Sequence, residues 1–397
     1  TGGRTMRMLL SATVAIAALA GLTIAAAEAQ TVRGVTDTQI IIGTTTDLSG
    51  VTAMWGVNNS NGYRMVFDEI NARGGINGRK IKYIVEDSQY QVPRAVQTAN
   101  KLLNLDNVFM MVANGGTPMN NAIMPDELAK GVPNVFPLTS ARSMYEPLNH
   151  LKFGLASSYY DQMRSGVKLF VEKRGKKQVC AMYQDTDFGR DVMDGARDQL
   201  KAEHMTLAAE TAHKPTDTDF SAAVAKLRDA NCDLILVGGI VRDSVQIISA
   251  VRKTGWDVDM LGQAASYDSA IAEAPGGITN GFYSMTPILF VTADDPRPAV
   301  HDFIVNYKSL YGTNPNFAAQ IGYTGAQLVV LALQNAGKDL TADSFVKGME
   351  SIKNYHDIFG SPPMSFSATK HQGSDQSFLA VVHDGHWSAV DTSPVAY

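Results

Sequence analysis

The chain has 397 residues, 45% of them hydrophobic, and a formal net charge of −5 at pH 7. That length exceeds the usual single core, so two domains are the starting expectation. The acidic balance, with no clustered Lys and Arg, argues against a nucleic-acid partner, whose phosphates need a basic face. Arg4 and Arg7 precede an apolar run from Met8 to Ala27, and Ala27-Glu28-Ala29 has the small residues of a cleavage site. Residues 1–29 therefore read as a signal peptide, with an uncleaved anchor as the alternative for a run this long. No later segment is apolar for long enough to span a bilayer, so the mature chain is expected to be soluble outside the cytoplasm.

Ile40-Ile41-Ile42 is a short β-branched run that meets a hydroxyl-rich turn, Gly43 to Gly50. Tyr63, Val66, Phe67 and Ile70 then recur at helical spacing to about Arg73, and Ile81 to Glu86 is a second strand. In open α/β sheets ligands collect at the carboxyl ends of strands. Thr44, Thr45, Thr46, Ser49 and Trp55 are placed there. A helix from Val92 to Leu105 and a strand from Val108 to Ala113 lead to Asn114-Gly115-Gly116-Thr117-Pro118, a second polar turn. The helix that follows, about Met119 to Lys130, points its free amides and dipole into the same crevice, a site for a carboxylate. Asn114 and Thr117 are candidates both for ligand contact and for capping that helix. A short strand, Val135 to Pro137, ends in a third polar turn, Leu138-Thr139-Ser140.

From Phe153 the alternation restarts, with helices Tyr159–Arg174, Phe188–Glu203, Asp219–Ala230 and Val241–Thr254 between strands Gln178–Tyr183, Met205–Glu210, Cys232–Gly238 and Met260–Gly262. That is a second parallel sheet with its own ligand-facing edge. After Ile278–Met285 come helices near Val300–Tyr311, Gln320–Asn335 and Thr341–Ser351, then a hairpin at Asp384-Gly385 between Phe378–His383 and Trp387–Val390.

Several of these residues together resemble the leucine/isoleucine/valine-binding family of periplasmic binding proteins, the solute receptors of ABC importers. They are Ile42-Gly43 with Asp47-Leu48-Ser49-Gly50, Phe67-Asp68-Glu69-Ile70-Asn71 with Gly74-Gly75-Ile76-Asn77-Gly78-Arg79, and Val85-Glu86-Asp87. Gln184-Asp185-Thr186-Asp187-Phe188-Gly189, Thr216-Asp217-Thr218-Asp219-Phe220-Ser221 (a helix start) and Gly238-Gly239 add to the likeness. The resemblance implies an α/β fold of two doubly wound parallel-sheet lobes joined by a three-strand hinge. Lobe one is expected at 30–154 with 286–360 and lobe two at 155–285 with 361–397, crossing near Phe153, Met285 and Gly360. It implies a monomer in the periplasm that binds a small carboxylate, without cofactor or metal, and docks on membrane permease subunits. Asn114, Gly115, Thr117, Leu138, Thr139 and Ser140 would grip the carboxylate.

Where the family clasps an α-ammonium, this chain reads Ile240 or Val241 and Ala264, and Phe188 stands where a tyrosine is common. Either Asp185, Asp187, Asp243 or Asp268 takes the ammonium, or the ligand has none. Trp55, Tyr159, Phe188 and Ile240 would make an apolar cleft, and Arg242 is a candidate partner for a carboxylate or a solvated helix-start arginine.

Cys180 and Cys232 are the only cysteines. In neighbouring strands, offset by two or three residues at about 3.3 Å each, they are expected to stay apart as buried free thiols. No catalytic motif stands out: there is no Gly-x-Ser-x-Gly elbow, no P-loop and no Gly-x-Gly-x-x-Gly after a strand. His150, His301 and His383 are scattered, and Asp185 with Asp187 fits a helix cap better than an acid-base pair. A binding protein is thus expected rather than an enzyme, with a ligand-sensing subunit as the alternative.

Overall fold

The computed structural model describes residues 32–397. The expected signal peptide lies outside the described residues. The first sheet is built from β1 (Gln39–Thr46), β2 (Lys80–Asp87), β3 (Met110–Val112), β4 (Asn134–Val135) and β5 (Lys152–Phe153), with α1 (Ala53–Ala72), α2 (Val92–Asn104) and α3 (Thr117–Ala129) as its crossovers. Its order is β2-β1-β3-β4-β5 and every pairing is parallel. β1 continues through Thr44, Thr45 and Thr46 rather than turning at Gly43, because β-branched threonines suit a strand as well as isoleucines do.

The chain then passes into a second sheet through α4 (Tyr159–Arg174), β6 (Val179–Gln184), α5 (Asp187–Ala202), β7 (Ala209–His213), α6 (Ser221–Asp229), β8 (Leu234–Gly238), α7 (Val241–Lys253), β9 (Asp259–Gly262), α8 (Ser269–Ala272) and β10 (Phe282–Thr286). It returns for α9 (Pro298–Tyr311), α10 (Phe317–Ala336) and α11 (Ala342–Glu350), and closes with β11 (Phe378–His383) and β12 (His386–Ala389). The order is β12-β11-β10-β9-β8-β6-β7, parallel except for the antiparallel β10-β11-β12 edge. The helix expected from Asp219 begins two residues later, at Ser221 within the Thr216–Ser221 motif, and Asp219 accepts the Ser221 amide at 2.9 Å.

What brings the chain back to the first lobe is a close crossing of α1 and α10. A Cβ on Gly62 would lie 2.5 Å from the Ala319 carbonyl oxygen, and one on Gly322 would lie 2.2 Å from that of Asn59. Only glycine lets the two backbones approach this closely, and the Asn59 amide donates to the Ala318 carbonyl at 3.1 Å across the contact. Leu328, Val329 and Phe345 from the returning helices join Ile40, Ile42, Tyr63 and Phe67 in one core. Met364 and Phe366 belong to that core too, and the last passage toward the second sheet runs alongside the first at the Gly154–Gln372 bridge.

The free-thiol expectation is overturned. Cys180 and Cys232 form a disulfide, with Cα atoms 5.8 Å apart. Cys232 precedes β8 instead of starting it, and Asn231 beside it has φ +54°. The strand spacing used to separate the sulfurs therefore does not apply: the chain bends under β6 before β8 begins. The bridge spans 52 residues of sequence. Closing a loop of that size restricts the unfolded chain by about 4 kcal/mol at 25 °C on the chain-entropy estimate. Cys180→Ala with Cys232→Ala is expected to lower the urea midpoint accordingly, and reductant should no longer affect the variant. An unchanged midpoint would show that the bridge adds nothing to stability.

Candidate functional site

The carboxyl ends of β1, β3 and β4 face those of β6, β8 and β9 across a cavity of about 1110 Å³, its open mouth included. The loop after β1 is shaped by two carboxylates. Asp47 accepts from the amides of Ser49 (3.2 Å), Gly50 (2.6 Å) and Thr52 (2.7 Å), and Asp87 accepts from the Leu48 amide at 2.8 Å and the Ser49 hydroxyl at 2.6 Å. These acids hold the loop and are spent on it. Trp55, in the first turn of α1, packs edge-on against Phe317 with centroids 5.6 Å apart and lines the cavity. Of the three threonines only Thr46 lines it. Thr44 donates to the Val112 carbonyl at 2.7 Å, and Thr45 shares a hydrogen bond with Thr98 at 2.5 Å. Ser49, tied to Asp87, is not among the lining residues either.

Gly115, Thr117, Leu138, Thr139 and Ser140 all line the cavity. The Thr117 and Thr139 hydroxyls lie 2.7 Å apart, joining the second turn to the third. Neither Asn114 nor Thr117 caps α3: Gly116, at φ +81°, holds the cap position without a side chain. Pro118 carries no amide hydrogen, so the first turn offers only the amides of Thr117 and Met119. Asn114 lies behind the surface and does not line the cavity. Its side chain accepts from the Thr45 amide at 3.0 Å and donates to Glu127 at 3.0 Å, so it braces the turn that holds Thr117.

From the second lobe come Tyr159, Phe188, Ile240 and Ala264, as expected, with Tyr159 and Phe188 edge to face at 5.0 Å. Gln162 fixes Ala264 by accepting its amide at 2.9 Å. Arg242 is not brought to the cavity. Its guanidinium is held by Asp243, at 2.6 Å, and by the Pro215 carbonyl. Sequence reasoning missed Tyr90, Tyr145, Leu155, Ile288 and Phe317. Tyr90 sits three residues past β2, so the rule about strand ends applied to it as well. Ile288 and Phe317 arrive from after a lobe crossing, and nothing local in their sequence marks them.

The pattern of the family described as "Periplasmic binding protein" matches residues 39–386. The chain belongs to this family. A leucine/isoleucine/valine-binding protein homologue from Brucella abortus (strain 2308) is 23% identical over 363 residues, 88% of this chain and 85% of the relative. Two solved structures share the fold with equal TM-scores of 0.82. One is a fatty acid ABC transporter substrate-binding protein from Thermomonospora curvata, 24% identical, with 92% of this chain and 94% of that one aligned. The other is a branched-chain amino acid ABC transporter protein from Thermus thermophilus with bound valine, 15% identical, with 91% and 98% aligned.

In this periplasmic binding protein the two lobes also meet at the rim. Arg142, between β4 and β5, donates to Asp191 and Asp194 on α5, each at 2.9 Å, and Asn121 on α3 donates to Asp187 at 2.9 Å. Thr186, not the aspartates beside it, caps α5 by accepting from the Gly189 amide at 3.4 Å. Among the described residues no cluster of His, Cys, Asp and Glu has the arrangement of a metal site.

Behind the cleft, burial pushes the Glu127 carboxyl up to about 7 despite the lowering effect of the Asn134 and Asn114 amides. The folded protein therefore binds this proton more tightly than the unfolded chain, whose carboxyl has its ordinary value of 4.5. The resulting stabilisation is complete below about pH 4.5 and is lost as pH rises through about 7. Buried Asp191 and Asp268, each raised to about 6, act in the same direction, so a single variant is needed to isolate Glu127. The melting temperature is expected to fall between pH 5 and pH 8 in the wild type and to fall less in Glu127→Gln. Parallel profiles would show that Glu127 does not titrate in that range.

Proposed function

We propose that this periplasmic binding protein is the solute-binding subunit of an ABC importer, capturing a small carboxylate between two lobes and presenting it to permease subunits. The observation that carries the proposal is the division of the cleft. Lobe one contributes hydroxyls and amides at Thr46, Gly115 to Thr117 and Thr139 to Ser140 beside apolar walls such as Trp55, Ile288 and Phe317, and lobe two contributes mostly apolar side chains with the Tyr159 phenol. Hydrogen bonds to a charged oxygen contribute about 1.5 to 3 kcal/mol each. Three or four suffice for a micromolar ligand at about −8 kcal/mol once hinge and ordering costs are subtracted. The mechanism is capture and closure without covalent chemistry.

The disulfide supports work in an oxidising compartment. Among the described residues no helix is long and apolar enough to cross a membrane. We place lobe one at residues 32–154 with 287–372 and lobe two at residues 155–286 with 373–397. The last boundary falls beyond Gly360 because Met364 and Phe366 pack in the first core. Three passages between lobes permit bending while limiting twist. The names of the relatives support transport as the role, and they leave a ligand-sensing subunit distinguishable only by its partner.

Native mass spectrometry of the purified protein should show one bound small molecule. Thr117→Ala with Ser140→Ala should weaken its retention at least about tenfold, the loss expected from roughly 1.4 kcal/mol, while the melting temperature of the empty protein moves little. Undiminished retention would remove these hydroxyls from the site. Arg142→Ala breaks two contacts that exist only when the lobes meet. It is expected to speed ligand release while leaving the stability of the empty, open protein near that of the wild type; an unchanged release rate would mean that the rim contacts do not hold the closed state.

A further inference from the structure

The geometry points to a ligand with one anionic head, an apolar body and no ammonium: an amine-free branched or aromatic monocarboxylate rather than an α-amino acid. The inference rests on reading the cleft as a solute site and narrows its chemistry. Three observations carry it.

Among the described residues no charged side chain lines the cavity. An ammonium enclosed there would lose its water without gaining a carboxylate, the costliest arrangement for a buried cation. All four acids that stood as substitutes are engaged elsewhere, and none lines the cavity. Asp185 is 62% exposed and paired with Arg190 at 2.9 Å, and Asp187 is held by Arg190 at 2.7 Å and Asn121 at 2.9 Å. Asp243 is buried among Arg242, Gln184 at 2.9 Å and His213 at 3.3 Å. Asp268 starts α8, accepting from the Ala270 amide at 2.9 Å and from the Asn316 side chain at 3.3 Å.

The second observation is an orphan donor. The Thr46 hydroxyl is buried, with the residue 1% exposed, lines the cavity and has no hydrogen-bond partner among the described residues. A Cβ on Gly115 would come within 2.6 Å of that oxygen, so only glycine lets the Gly115–Thr117 turn pass this close to it. A buried hydroxyl without a partner is costly unless something docks on it. Its neighbours place the ligand's polar head at this end.

Third, an α-amino group would sit on the carbon next to the carboxylate, beside the head, and the lobe-two wall that closes on it supplies no carboxylate. Phe188, Ile240, Val241 and Ala264 present only carbon there. The Ala264 amide is already taken by Gln162 and the Ala265 amide by Gln263, at 2.9 and 2.6 Å. Apolar surface placed against these side chains gains from burial, and an ammonium placed there loses.

The test is a calorimetric and thermal-shift panel on the full mature protein after its bound solute has been dialysed away. It pairs 3-phenylpropanoate with phenylalanine and 4-methylpentanoate with leucine, and adds neutral 4-methylpentanamide. Each acid is expected to bind at least tenfold tighter than its amino-acid partner, and 4-methylpentanoate at least tenfold tighter than its amide. Thr46→Val should weaken the acids at least fivefold. Equal or tighter binding of the amino acids would overturn this inference and leave the solute-site reading intact, and parity of acid and amide would remove the anionic head. If no member of the panel binds, the molecule that copurifies decides: an amine-free carboxylate supports the inference, and an amine or a molecule without a carboxylate overturns it. No binding together with no copurified solute would remove both the inference and the reading beneath it.

Discussion

The buried side-chain amide of Asn114 ties together the strand ends from which the head of the cleft is built. Its oxygen accepts from the Thr45 amide on β1, its nitrogen donates to Glu127 on α3, and Glu127 receives a second amide from Asn134 on β4 at 2.5 Å. Asn120 adds donations to the Asn114 and Gly116 carbonyls at 2.7 and 2.9 Å. Three strands and one helix thus share a single polar network in an apolar setting. Such a network is strong when every member is satisfied and costly when one is removed. It fixes where Thr46, Thr117 and Thr139 stand before any ligand arrives, so the polar end of the site is preorganised.

Lobe two is organised differently. Its contribution to the cleft is held by backbone capture, Gln162 and Gln263 taking the amides of Ala264 and Ala265, and by aromatic packing around Phe188. Charge is kept behind this surface: Asp243 on α7 accepts from Arg242 and Gln184 and lies 3.3 Å from His213. The fixed donors of the cleft thus stand on lobe one, and apolar side chains of both lobes line the rest of it. Directional contacts between lobes stand at the rim, where Arg142 and Asn121 reach α5, and in the cleft, where the Tyr159 amide donates to the Ser140 carbonyl at 2.8 Å.

Much of this was legible in the sequence because its signals are local. The β-branched run at Ile40 to Ile42, the helical spacing of Tyr63, Val66, Phe67 and Ile70 and the polar turns at Asn114 to Thr117 and Leu138 to Ser140 each depend on neighbours within a few residues. The strand-end rule together with the family resemblance proposed twelve contacts, ten of which line the cavity. Asn114 and Arg242 were assigned to the right edge and the wrong face, since chemical type says that a side chain seeks a partner and not which partner is nearest.

Residue type and order determined two parallel sheets and the polar turns at their strand ends; the ammonium positions at Ile240 or Val241 and Ala264 came only from the resemblance to the family. Only the tertiary structure decided what long-range contact controls. It joined Cys180 to Cys232 by bending the chain at Asn231, outside the strand where the spacing rule holds. It sent α10 back onto α1 through paired glycines far apart in sequence, and brought Ile288 and Phe317 to the cleft with it. It also showed Asp185, Asp187, Asp243 and Asp268 already partnered. Whether a carboxylate is free depends on what the fold packs against it, and that is a property of distances in space rather than of position along the chain.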